Sequence, residues 1–598
     1  MAAGQQDGLD VPAFDRRFFA SSELCTAIGD GAVGGKARGL LLARDVLRKL
    51  EPDPAWEIGV SIPRMIVVTT SVFDAFLDGN DLRVIAASDA PDERIAHAFQ
   101  RGSLPTGVLG DLRALVEDVH TPLAVRSSSL LEDAMHRPFA GVYATKMIPN
   151  DQPDADARFQ RLVEAIKFVF ASCFFRAAKR YRHAADRTNR EEKMAVLIQE
   201  VVGRRYGSRY YPLLSGVAKS YNFYPSGAAR PEDGVVNLAL GLGKTIVDGG
   251  RCWIYSPTRP AAAPPYASAR ELLQQTQVRF WAVHMGSPPR FDPIAEEEFL
   301  IEGGLEDADY DGVLRYVAST YDPSADRLTP GTGRAGPRAL DFAPILGLRE
   351  IRLNDLLRCL LERCSGALAA PTEIEFALTI DPHEPPRAHL GFLQMRPMIV
   401  SDEVVDVPEE ALHRPDVVVA AQRALGNGVD ETVRDIVYVK PDGFESRHTR
   451  RIAAELAEHN DRLVADHCPY LLIGFGRWGS SDPWLGIPVE WGDIAGARVM
   501  VETTLPTMDV EASQGAHFFH NLSSFQVCYL TVHHAAEPGI DWSWLESLPA
   551  VQETTFVRHV RAPAPLLVKV DGRSGRGAVW RSPASAGTGN RSETHADR

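Results

Sequence analysis

Cysteine is scarce and unpatterned: the 598 residues hold seven, at Cys25, Cys173, Cys252, Cys359, Cys364, Cys468 and Cys528, with no CxxC pair. An odd, scattered set argues against a disulfide framework or a cysteine-built zinc site, so most are read as small buried hydrophobes. Long apolar runs are missing too. No stretch approaches the roughly 20 residues that a membrane-spanning helix needs. The start, MAAGQQDGLDVPAFDRR, lacks the apolar segment behind a basic start that marks a secretory signal. Positive charge is in deficit, with a formal net charge of -15, which argues against a general nucleic-acid surface and leaves room only for a local basic cleft. No internal repeat is visible. These absences lead to the expectation of a cytoplasmic protein without nucleic-acid or membrane partners.

What is present is ordinary for a folded chain: 45% hydrophobic and 24% charged residues. The length is too great for one core and predicts about two to four domains. Residues 1–20 read as a flexible leader. From 29, GDGAVGGKARGLLLARDVLRKL reads as a glycine-rich turn feeding an amphipathic helix. In IPRMIVVTTS a strand ends in Thr-Thr-Ser, read as a helix N-cap. The run 157–183 predicts a long helix, and MAVLIQEVV (194–202) a strand at a sheet centre. A Pro/Ala-rich connection at 257–268 leads to a stretch, about 269–370, read as mostly helical. TEIEFALTI and HLGFLQMRPMIV then form a hairpin of alternating strands. The acidic, proline-containing 401–416 reads as a linker, 417–570 as a second α/β unit, and 571–598 as a disordered tail.

Four stretches carry chemistry. GGK at 34–36 opens a helix, where unpaired N–H groups and a lysine suit a phosphate, although a plain turn-to-helix glycine pair is the commoner meaning. It is not a Walker A loop, because the spacing and the hydroxyl after lysine are absent. LAVRSSSLLEDAMHRPFAGVYATK (123–146) places Arg126 and three serines at a strand end, either as a polar turn or as an anion site. In the hairpin, alternation puts Glu373 and Glu375 on one face, and likewise Gln394 and Arg396. Two carboxylates and an amide oxygen suit Mg²⁺; a solvated face with a Glu–Arg cross-strand pair is the plain alternative. GLGKTIVDGG (241–250) is a glycine-dense turn that reads equally as bare geometry or as a phosphate-side loop.

Taken in order, GGK with its helix, IPRMIVVTT, AVRSSSLLEDAMHRPFAG, MAVLIQEVV, SGV, GLG and IEFA…LQMRP resemble the ATP-binding domain shared by phosphoenolpyruvate synthase and pyruvate phosphate dikinase. The resemblance covers about residues 24–400 and implies an α/β fold in which two ATP-grasp-like lobes clamp ATP. It implies an N-terminal lobe at 21–193 and a C-terminal lobe at 194–400 that carries the helical insertion. It further implies phosphate contacts from Lys36 and Arg126, a nucleotide loop with Gly141 and Thr145, and Gln199 near the base and hinge. Mg²⁺ ligation is implied for Glu373, Glu375 and Gln394, and neutralisation of the transferred phosphoryl for Arg396. Glu132 and Asp133 are expected in a mobile loop beyond the phosphates. The implied activity is an ATP- and Mg²⁺-dependent phosphotransferase. The alternatives are a non-catalytic nucleotide sensor or the ATP-binding half of a split dikinase.

Departures from the family are plain. GLGK replaces the usual GLGE, so Lys244 changes a charge. The Thr-Ser-His-Ala phosphohistidine motif is absent from the 17 histidines, and 417–598 is too short for a phosphoenolpyruvate-binding barrel. The acceptor is then a small molecule, water, or a phosphohistidine domain on a separate partner chain. The C-terminal unit resembles units found beside the same ATP-binding domain in uncharacterised bacterial proteins. Within it, GFGRWGSSDPWLG offers Arg477 beside Trp478, and Ser480, Ser481 and Asp482 between Trp478 and Trp484. It is either an anion or ring site or a rigid loop in which Arg477 pairs with Asp482. His517 and His520 are too few for a zinc site and are read as packed histidines.

Overall fold

The computed structural model describes residues 11–582 apart from 51–52, 54–55, 130–131, 133–141, 185–191, 224–228, 261–267, 287–290, 382–386, 399, 401–404, 481, 483, 507, 509–521, 523–524 and 573. The architecture is α/β throughout, and no described helix is long and apolar enough to cross a membrane. All seven cysteines are free thiols.

The first lobe is a five-stranded sheet in the order Cys25–Ile28, Met65–Val68, Met194–Glu200, Leu123–Ser129, Thr145–Ile148. Helices, among them Thr70–Gly79 and Ala155–Ser172, bury one face of it through Phe73, Phe76, Ile166 and Phe170. The second lobe is a six-stranded sheet in the order Trp253–Tyr255, Val235–Ala239, Leu214–Lys219, Thr372–Ile380, Ala388–Pro397, Ile58–Ser61. The helix Gly34–Arg48 inserts Ala37, Leu40, Leu41 and Val46 into its core, as their helical spacing requires.

The expected lobe boundary at 193/194 is therefore wrong in detail. Met194–Glu200 lies at the centre of the first sheet, with Gln199 between Met65 and Ala124. Conversely, Ile58–Ser61 leaves the first lobe's sequence and pairs in parallel with Ala388–Gly391. Burial pattern marks a strand as central but does not say which sheet it joins. The expectation of a mostly helical 269–370 also fails. Arg279–His284 pairs with Leu300–Gly304, and Ala318–Asp322 pairs with Arg327–Pro330 and Arg338–Leu340. RFWAVH is rich in β-formers, and besides Leu300–Gly304 it pairs at its end with Arg209–Tyr211, some 70 residues earlier.

The C-terminal unit holds a seven-stranded sheet in which Asp435–Val439, Tyr470–Phe475, Ala497–Thr503 and Cys528–Val532 run parallel. A four-stranded sheet backs it, and here the sequence reading of a tail from 571 is corrected. Arg576–Trp580 is an inner strand, and Trp580 is buried beside Val407 and Leu412. The end of the expected linker, 405–416, packs with it. The described part of the expected leader packs on the first lobe: Ala13 bridges Ala27, and Phe18 is buried.

One buried group in this unit carries a pH prediction. His459 is 1% exposed, and neither ring nitrogen has a hydrogen-bond partner. Burial, then the neighbouring His559 and Arg462, lowers its pKa to about 4, against the pull of Glu455. The folded chain stays neutral there while the unfolded chain, titrating near about 6.5, takes up a proton. Stability is expected to fall as pH drops from about 6.5 towards 4 and to lose nothing more from this group below 4. Urea unfolding of wild type and His459→Leu at pH 7 and pH 5 checks it; equal losses in both proteins would remove His459 as the cause.

Candidate functional site

The turn that leads to Lys36 is fixed by hydroxyls. Thr69, Thr70 and Ser71 accept the N–H groups of Gly31 (3.1 Å), Ala32 (3.0 Å) and Asp30 (3.2 Å). The Thr-Ser run read as a helix cap thus clamps the glycine turn instead: no side chain caps the helix at Thr69. A Cβ on Gly34 would lie 1.6 Å from the Ser128 carbonyl oxygen, and one on Gly35 2.0 Å from that of Glu132. Only glycine lets the helix start sit this close to the serine strand.

That approach brings Lys36 to the serines. Its ammonium donates to Ser127 Oγ (3.2 Å) and forms an ion pair with Glu132. Glu132 also accepts from Ser127 Oγ (2.9 Å) and from the Ser129 N–H (2.9 Å). Glu132, expected in a mobile loop, is 3% exposed and is the centre of this cluster; Asp133 lies outside the described residues. The reason is electrostatic: a largely buried ammonium needs a carboxylate, and Glu132 supplies it.

Arg126 crosses between lobes. From the first sheet its guanidinium donates to the Leu393 carbonyl (3.0 Å), to Gln394 Oε1 (2.9 Å) and to Glu375 Oε2 (3.3 Å) in the second. The hairpin register sets Glu373 opposite Arg396 and Glu375 opposite Gln394. Both pairs share a face, but their surroundings differ. Glu373 is 1% exposed, with Oε1 taken by Arg396 (Nε, 2.8 Å) and Oε2 by Lys219 (3.3 Å). Glu375 keeps about 15% of its side chain open beside the Gln394 amide oxygen. The oxygen set that suits a hard cation is thus Glu375 with Gln394. Glu373 is engaged by two cations, which sets it apart from the other two expected ligands. Among the described residues no group of three His, Cys, Asp or Glu side chains is arranged to hold a metal.

Thr145 pairs in register with Arg126, and its N–H donates to Glu296 (3.2 Å). Gln199 is buried and donates to the Pro63 carbonyl (3.3 Å). Gly141, His517, His520, Ser481 and Pro483 lie outside the described residues. Lys244, the departure in GLGK, bonds Asp248 and Glu297, each at 2.9 Å, and sits 5.6 Å from the Trp281 ring centre. Burial alone would lower its pKa, but the Asp248 and Glu297 carboxylates hold it above the ordinary value.

Residues that sequence reading missed are Glu132 as an anchor, Lys219, and the run Glu296–Glu298. Lys219 had a visible signal, a lysine ending the otherwise buried strand Leu214–Lys219. The acidic run had none, since its partners come from distant strands. In GFGRWGSSDPWLG, Trp478 is buried and donates to the Val501 carbonyl (3.3 Å), whereas Trp484 is 74% exposed. Asp482 accepts from the Trp484 N–H (2.9 Å), and Arg477 reaches the Gly249 carbonyl (3.0 Å) in the second lobe. Arg477, for which a pair with Asp482 was one of two alternatives, thus makes a contact between units. A cavity of about 350 Å³ lined by Arg64, His120 and Glu200 shares no residue with this cluster.

Residues 30–414 match a family described as the pyruvate phosphate dikinase AMP/ATP-binding domain.

Proposed function

Because the chain belongs to the family of the pyruvate phosphate dikinase AMP/ATP-binding domain, we propose that it is an ATP- and Mg²⁺-dependent phosphotransferase whose nucleotide lies between the two lobes. The family supplies the ATP-binding domain. The observation that carries it is Arg126, which leaves one sheet and bonds Gln394 and Glu375 on the other. A cation poised across a cleft beside a carboxylate–amide pair is what a polyphosphate bound between lobes requires.

Lys36, with the Ser127 hydroxyl and the Ser129 N–H, forms a donor set for phosphate oxygens, which Glu132 engages. Arg126 exchanges carboxylate and amide partners for phosphate oxygens. Arg396, oriented by Glu373, neutralises charge on the phosphoryl as it leaves. Glu375 and Gln394 would hold Mg²⁺, which supplies Lewis-acid neutralisation of phosphate oxygens when bound. Thr145 and Gly141 are assigned to the nucleotide loop and Gln199 to the base and hinge.

Within this reading the ATP-binding module spans the two lobes up to about residue 400, and the C-terminal unit serves acceptor delivery or regulation. The acceptor is a small molecule, water or a phosphohistidine domain on another chain. The test is the nucleotide product of purified protein. ADP means kinase or ATPase chemistry and AMP with phosphate means dikinase chemistry. ATP binding without any product favours the sensor.

The two carboxylates should behave differently. Glu375→Gln is expected to weaken Mg²⁺-dependent ATP binding or turnover by about ten-fold or more, since it removes a charged ligand from a hard cation. Glu373→Gln should leave the Mg²⁺ titration midpoint near wild type and lower turnover at saturating Mg²⁺, because it loosens Arg396. Mg²⁺ titrations of ATP binding and rate decide the matter, and equal Mg²⁺ midpoints in all three proteins would sink the metal assignment.

A further inference from the structure

The C-terminal unit is seated firmly on the first lobe. Arg180, on the helix Arg176–Ala184, pairs with Asp461 (2.7 Å) and with Asp493. Next to it Tyr181 meets the Phe525 ring at 5.2 Å, and Phe525 meets Trp491 at 5.3 Å. These rings belong to the same buried cluster as Val169 and Phe170 of the first lobe. Gly492 fits so closely that a Cβ there would lie 2.7 Å from the Arg180 Cβ. Packing of this kind moves as one body with the lobe it joins.

From that seat the unit touches the second lobe through a built turn. Strand Tyr470–Phe475 ends at Gly476, whose φ of +69° turns the chain. Arg477 then pairs with Gly486, and its N–H donates to the Leu485 carbonyl (2.7 Å). A Cβ on Gly486 would lie 1.9 Å from the Arg477 carbonyl oxygen, so only glycine permits this pairing. The guanidinium so fixed donates to the Gly249 carbonyl at 3.0 Å.

Gly249 closes the glycine-rich turn whose short helix is Lys244–Val247. At the other end of that turn, Lys244 is held by Glu297. The residues flanking Glu297 run back to the first lobe: Glu296 accepts from the Thr145 N–H (3.2 Å), and Glu298 pairs with buried Lys146 (2.8 Å). The turn GLGKTIVDGG is therefore tethered at its start through an acidic run to the strand that carries Thr145. At its end it is tethered to the C-terminal unit.

We propose that the C-terminal unit controls nucleotide exchange, with Arg477 as a positioning residue that holds the glycine-rich turn and so sets how readily the cleft opens. The inference rests on the nucleotide site proposed above and deepens it by naming how that site is regulated. Lobe opening carries Gly249 away from a unit fixed to the first lobe, so the charged donor's bond to its carbonyl must break.

The full-length chain is compared with Arg477→Ala and Arg477→Lys. Two quantities are read: amide hydrogen exchange over 244–250 without nucleotide, and the dissociation rate of a fluorescent ADP analogue. Arg477→Ala is expected to raise both by roughly ten-fold, the loss of one charge-assisted hydrogen bond. Arg477→Lys should recover part of the loss, and exchange elsewhere in the C-terminal unit should stay unchanged. Unchanged exchange and release in Arg477→Ala overturn the proposal, as does faster exchange spread evenly over the unit, which marks a merely structural role. If the wild-type chain binds no ADP analogue, the nucleotide-site reading itself fails, while exchange over 244–250 still reports whether Arg477 holds the turn.

Discussion

Arg126→Ala is expected to lower turnover by about 10²–10³-fold while the chain stays folded. The guanidinium is lost from the site proposed for the ATP phosphates, and with it go the bonds that join the lobes through Gln394, Glu375 and the Leu393 carbonyl. About 14% of the side chain is open, so its removal leaves a partly wet gap and no sealed void. The stability cost should accordingly stay within about 2 kcal/mol. Arg126→Lys keeps the charge but not the fork that reaches a carbonyl and an amide together, and an intermediate rate is expected. Product assays beside a melting curve separate catalysis from folding. A folded Arg126→Ala chain working at the wild-type rate would remove the phosphate role.

Arg396→Ala should be at least as damaging and harder to interpret without a companion variant. Arg396 and Glu373 are both buried, and Lys219 is the other cation on Glu373. Breaking a buried pair by removing one partner costs about 3–5 kcal/mol in general, and Lys219 should keep the cost towards the lower end. Loss of turnover, about 10²-fold or more, is expected on top of that. The double variant Arg396→Gln with Glu373→Gln removes both charges, so the carboxylate is not stranded, and much of the melting temperature should return. Turnover should not return, because a neutral amide cannot neutralise a departing phosphoryl. If the double variant regains both, Arg396 serves the fold and not the reaction.

The site was readable to different depths at different residues. Strand alternation sets Glu373 with Glu375 and Gln394 with Arg396, and the register pairs them across the hairpin. Alternation is a property of the backbone, so no tertiary information was needed. It did not distinguish the two glutamates. Lys219, from a strand more than 150 residues earlier, reaches Glu373 and not Glu375. Glu132 was misread for the same reason: its sequence neighbours suggest a polar loop, but besides the nearby Ser127 and Ser129 its partner is Lys36, brought in by a helix 96 residues earlier. The charge of Lys244 made sense only once Asp248 and Glu297 were beside it.

The sequence by itself determined that the chain is α/β and that an ordered series of motifs builds a nucleotide domain, and it put forward Arg126, Arg396, Lys36 and the hairpin carboxylates as the residues proposed to carry its chemistry. Periodicity, glycine placement and residue type are local properties, and they are written in the chain directly. Only the tertiary structure decided which sheet receives Met194–Glu200 and Ile58–Ser61, that 269–370 mixes strands with its helices, and that Arg576–Trp580 is an inner strand. It alone brought Arg477 to Gly249. Strand partners and buried ion pairs join residues far apart in the chain, and the energy that selects them comes from burial and charge neutralisation, which no local pattern encodes.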